Sequence, residues 1–99
     1  MKEKTLQAKI IDYCKTNGIY LINVYGSGMT AKGAPDLIGC YNGVFLAIEC
    51  KVGKNVLSPA QQIHKKRILE AGGVHLTPYT LEEFITELEA VRKWLIKNT

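Results

Sequence analysis

Apolar residues recur along this chain in two rhythms. In "KEKTLQAKIIDYCKTNG" the residues Leu6, Ile10, Tyr13 and Cys14 stand three and four apart, which predicts a helix stopped by Asn17-Gly18. "IYLINVY", Ile19 to Tyr25, is rich in β-branched and aromatic residues and bounded by glycines, so it predicts a strand. "GSGMTAKGA", Gly26 to Ala34, has three glycines and no period, and reads as a loop. Two apolar runs then flank Asn42-Gly43, the favoured dipeptide of a type I′ hairpin turn. "LSPAQQIHKKRILEAGG" opens a second helix with Ser58 as N-cap, Pro59 at the first helical position and Gln61 three residues after the cap, and closes it on Gly72-Gly73. "VHLTPY" predicts a short strand. Thr80 and Glu83 cap a final helix whose apolar positions are Leu81, Phe84, Ile85, Leu88, Val91 and Leu95. The order α-β-β-β-α-β-α implies an α/β fold, a mixed central sheet flanked by helices, without repeats or linkers.

The hairpin, Gly33 to Lys51, should be buried, yet Asp36, Glu49 and Lys51 interrupt it. With Asn42-Gly43 as the turn, opposed residues have numbers summing to 85, so Asp36 faces Glu49, and Lys51 shares their face. Two carboxylates about 5 Å apart repel by roughly 3 kcal/mol at an effective dielectric of about 20. Lys51 could neutralise them in a purely structural cluster. A hard divalent cation fits better, because Mg²⁺ favours carboxylate oxygen and completes its shell with waters and a phosphate. The expected chemistry is phosphodiester hydrolysis, with Asp36 and Glu49 holding the metal and Lys51 orienting a water or neutralising charge on the phosphorane.

Composition narrows the setting. Ninety-nine residues at 46% hydrophobic content suit one domain spanning 1–99. The net charge of +4 is uneven: residues 1–67 carry +6 and the remainder −2, a distribution that suits a polyanionic partner. Cys14, Cys40 and Cys50 are odd in number and lack metal-ligand spacing, so reduced, mostly buried thiols are expected. No stretch approaches the roughly 18 to 20 apolar residues of a membrane helix, and "MKEKTLQAKI" lacks a secretion signal's apolar centre. A cytoplasmic protein of a bacterium or of a virus-infected cell is expected.

"APD" followed by "IECK" resembles the PD-(D/E)xK nuclease signature, on the element order of that superfamily's restriction-endonuclease-like core. With "GSG", "KGAPDL", "AIECK", "LSPAQ" and "EAGG", residues 3 to 80 resemble the VRR-NUC family of virus-type replication and repair nucleases. Small stand-alone members are similar to Holliday-junction resolvases. The resemblance therefore implies a Mg²⁺-dependent endonuclease, with Mn²⁺ able to substitute, cutting branched DNA as a homodimer. It implies that Asp36, Glu49 and the backbone carbonyl of Cys50 bind metal and that Lys51 is the catalytic lysine. Gln61 matches a glutamine that would help orient the site, beside its reading as a capping-box residue. Glu3 matches a first-helix acid, and its helical stripe with Leu6, Gln7, Ile10 and Cys14 points it inward; otherwise it is a solvated first-turn acid.

Among the remaining residues, Lys32, Lys54, Ser27 and Lys65 are candidates for DNA contact. His64 is expected to be packed or half-buried, His75 to be a strand residue without a role, and Trp94 to lie in the core or at a dimer interface. The competing classes are a non-catalytic nucleic-acid-binding module and a flap or nicking nuclease. A sequence-specific restriction enzyme would want more recognition elements than 99 residues hold.

Overall fold

The computed structural model describes residues 1–24 and 31–98. Its elements follow the expected order: α1 (Glu3–Thr16), β1 (Tyr20–Asn23), β2 (Leu37–Tyr41), β3 (Val44–Ile48), α2 (Pro59–Glu70), β4 (Val74–Leu76) and α3 (Leu81–Lys97). The strands form one sheet in the spatial order β1-β2-β3-β4, antiparallel through β3 and parallel between β3 and β4. The parallel pair needs a crossover, and α2 provides it.

The turn behaves as its residues dictate. Asn42 and Gly43 have φ of 51° and 84°, the positive pair a type I′ turn requires, and Tyr41 pairs with Val44. That register fixes the two faces of the sheet. On one face Leu37, Leu46, Ile48 and Leu76 meet Leu6, Ile10 and Cys14 of α1 and Phe84 and Leu88 of α3, all buried. Tyr13 meets the Phe84 ring edge-on, with centroids 6.1 Å apart. The other face is only partly covered. Helix α2 packs against β4 but buries none of its own residues, and Cys40 and Phe45 near the turn stay exposed. The hairpin is therefore buried on one side only at its turn end, which corrects the expectation of a wholly buried one.

Two further expectations change. The first strand occupies Tyr20–Asn23 rather than all of Ile19–Tyr25, and Tyr25 lies outside the described residues. Trp94 is 61% exposed and so is not a core residue: α3 beds through Phe84 and Leu88, and Trp94 stands outside that stripe, at a surface depression it lines with Val44, Val74 and Val91. No helix among the described residues is long and apolar enough to cross a membrane.

Candidate active site

Asp36 immediately precedes β2, and Glu49 immediately follows β3. The ladder stops there, but the backbone remains tied. The Val24 N–H donates to the Asp36 carbonyl at 2.9 Å, and the N–H groups of Glu49 and Lys51 donate to the carbonyls of Leu76 and Pro78 at 3.0 and 3.1 Å. The hairpin register thus carries Asp36 to Glu49, and β4 carries the chain past Lys51. Asp36 also accepts from the Cys50 N–H, through Oδ2 at 3.2 Å. Glu49 is 2% exposed and Lys51 9%, an unusual depth for two charged residues.

Their environment shows in Glu49. Burial, hydrogen bonding to Asp36 and the Asp36 charge raise its pKa to about 8; Lys51 pulls it back, and Glu3 adds to the rise. Four side chains from three parts of the chain therefore act on one another here. Glu3, half-buried at the start of α1, is among them. The Lys51 charge reaches Glu49 without an ion pair: among the described residues the salt bridge within 4 Å joins Arg92 to Glu89 on α3. Glu49 Oε1 is buried without a hydrogen-bond partner, a costly state for a carboxyl oxygen unless another group comes to it. The Cys50 thiol is fully buried and pushed up to about 12, so what Cys50 can offer a ligand is its backbone carbonyl.

Among the described residues no group of three His, Cys, Asp or Glu side chains is placed to hold a metal ion. Two facing carboxylates with an unsatisfied oxygen form a more open donor set. Such a set suits a cation that keeps waters and shares a substrate phosphate, as Mg²⁺ does, and does not suit a closed zinc cage.

The other candidates are distributed around this centre. Gln61 completes the capping box: its N–H donates to Ser58 Oγ at 3.2 Å and its Oε1 accepts from the Ser58 N–H at 2.8 Å. Its side-chain NH₂ is the end the box does not use. Lys32 and Lys54 are exposed in loops on either side of the site, while Lys65 is half-buried on α2. Ser27 lies outside the described residues. Half-buried His64 ties the loop before Pro35 to α2, with Nε2 3.0 Å from the Lys32 carbonyl oxygen. His75 is buried opposite Ala47, its Nδ1 has no partner, and burial, then Lys65, lowers its pKa to about 4.

Sequence reasoning missed Thr77 and Tyr79. Thr77 has a buried Oγ1 without a partner, and Tyr79 donates to the Asn55 carbonyl at 2.6 Å. Their relation to Glu49 and Lys51 depends on β4 lying parallel to β3, and no local pattern in "VHLTPY" states that partner.

Neither a scan against models of known protein families nor a search of curated proteins finds a match to this chain.

Proposed function

We propose that this chain is a metal-dependent endonuclease of the PD-(D/E)xK type, a VRR-NUC-like member, that hydrolyses phosphodiester bonds in branched DNA as a homodimer. The observation that carries the reading is the meeting of Asp36 and Glu49 at a buried sheet end, where among the described residues a Glu49 carboxyl oxygen has no hydrogen-bond partner and the Lys51 charge acts on Glu49 without a salt bridge. Asp36, Glu49 and the Cys50 carbonyl would hold Mg²⁺ or Mn²⁺, and Glu3 would add negative charge behind them. Bound there, the ion would polarise a phosphate oxygen and acidify a water. Lys51 needs no metal to fill its own part. Held by the Pro78 carbonyl through its backbone, it presents an ammonium where negative charge grows in the transition state, and its burial strengthens that effect. The basic first two-thirds of the chain supports a polyanionic substrate. Exposed apolar side chains support a second copy: Tyr20, Ile22 and Phe45 on the sheet's open side, and Trp94 and Ile96 on α3.

Incubation with labelled junctions, flaps, nicked and linear duplexes, with and without Mg²⁺, tests the proposal. Mg²⁺-dependent cutting of branched DNA, lost in Asp36→Asn and Glu49→Gln, is the expected result. Binding without cutting under every condition would leave the non-catalytic module instead.

A further inference from the structure

A groove of about 630 Å³ runs between α2 and the strand that shelters the site, within the size range of small-molecule pockets. Val56, Leu57, Leu69 and Tyr79 give it an apolar lining, and Lys65 and Lys66 stand on its helical wall. Among the described residues none of its walls is acidic. Val56 is 72% exposed and Leu69 49%, an open cost for two aliphatic side chains that lie in one depression.

Its position relative to the site follows from the parallel pairing. Ile48 pairs with Leu76, and the backbone bonds of Glu49 and Lys51 to Leu76 and Pro78 continue that ladder. Alternation from Leu76 then places Thr77 and Tyr79 on the face that carries Glu49 and Lys51. The groove thus begins one strand away from the two acids. Thr77, with its unpartnered hydroxyl, lines it, and the Tyr79 ring is held in place by the hydroxyl's bond to the Asn55 carbonyl.

An apolar slot containing a fixed aromatic ring and rimmed by two lysines matches one chemistry closely: a flat base with an anion a short arm away. We infer that the groove receives a single unstacked nucleotide of the DNA substrate, its base against Tyr79, Leu69 and Val56 and its flanking phosphate at Lys65 and Lys66. This rests on the proposed function for the substrate being DNA, and it gives that function a source of structure selectivity. Duplex DNA keeps its bases stacked and cannot fill the slot. A frayed, flapped or junction-proximal strand supplies a free base without the cost of extruding one.

The test uses the full chain carrying Asp36→Asn, so that DNA is bound but not cut, and two further substitutions on exposed positions, Val56→Glu and Leu69→Glu. The probes are a blunt duplex and a duplex with a short single-stranded flap containing 2-aminopurine, followed by anisotropy and by 2-aminopurine fluorescence. The flap should bind roughly tenfold more tightly than the blunt duplex, with a fluorescence change as the base leaves its neighbours. Val56→Glu and Leu69→Glu should lose that preference and the fluorescence change, while blunt-duplex affinity and the far-ultraviolet circular dichroism stay as they were. Equal affinity for flap and duplex, or a preference that survives both substitutions, would overturn the inference. Flap-selective binding by a wild-type chain that cuts nothing with Mg²⁺ would sink the nuclease reading and leave the groove standing. Cutting without flap preference would do the reverse.

Discussion

Glu49 holds a proton near neutral pH because it is buried beside Asp36, and this makes the metal-free fold sensitive to alkali. Its folded pKa of about 8 lies above the ordinary 4.5, so the stability it contributes is complete below pH 4.5 and is lost as pH rises towards 8, by at most about 1.4 kcal/mol per pH unit. His75 has the opposite sign. Lowered from 6.5 to about 4, its contribution is complete above pH 6.5 and is lost as pH falls. Between pH 6.5 and 8 only the Glu49 slope remains of the two, and thermal melts in EDTA should show stability falling there, with Glu49→Gln flattening the fall. A divalent cation needs the ionised carboxylate, so the rise in Tm on adding Mg²⁺ should grow from pH 6.5 to 8 and vanish in Asp36→Asn. An unchanged rise in that variant would take Asp36 out of the metal site. For Lys51→Ala, DNA affinity should hold within a few-fold while cleavage drops by about a hundredfold or more, the size expected for a group that acts on transition-state charge. Single-turnover kinetics beside a binding titration separate the two effects.

Helix α2 is the element on which the geometry of the site leans. It buries no residue of its own, yet its first turn is built tightly: the Ser58 capping box closes it, and Gly33 presses against Ala60. At Gly33 φ is +83°, and a Cβ there would lie 2.5 Å from the Ala60 carbonyl carbon, so Gly33→Ala meets both a strained backbone and an immovable neighbour. Thermal unfolding should place Gly33→Ala about 2 kcal/mol or more below the parent, against about 1 kcal/mol for Ser58→Ala. Cleavage should suffer beyond the stability loss only in Gly33→Ala, because Asp36 follows three residues later. These elements also mark what was legible in the sequence. Asn42-Gly43 sets a local register, so the facing of Asp36 and Glu49 could be counted from it, and Ser58, Pro59 and Gln61 announce a helix start in their own side chains. The parallel seating of β4 is a long-range choice that depends on how α2 crosses the sheet. The burial of His75 and the groove beside Thr77 and Tyr79 were invisible for that reason. Trp94 misled because its bulk suggests burial, whereas it stands beside the α3 stripe of Phe84, Leu88 and Val91 and not on it.

At the scale of the molecule, one chain offers a single set of Asp36, Glu49 and Lys51, and resolving a junction takes two cuts on symmetry-related strands. A two-fold dimer supplies both, and a stable one should bury at least about 1,000 Å² in total. Light scattering at micromolar concentration should give twice the chain mass. Phe45→Asp and Trp94→Asp, each at an exposed position, should show which surface is used by returning that variant to monomer. A strict monomer, free and on DNA, would remove the resolvase reading and leave a flap or nicking nuclease. The parallel β3–β4 pair also sets a timetable for synthesis. Asp36, Glu49 and Lys51 belong to a local hairpin of the kind that closes in about 1–10 μs. The carbonyls of Leu76 and Pro78 that hold Glu49 and Lys51 arrive only after α2 has been made, roughly one to five seconds later at a ribosome's pace of about 5–20 residues per second. A nascent chain thus assembles its charges long before it can shelter them, and an interrupted one that ends before Val74 carries Asp36, Glu49 and Lys51 on a hairpin whose β3 edge has no neighbouring strand.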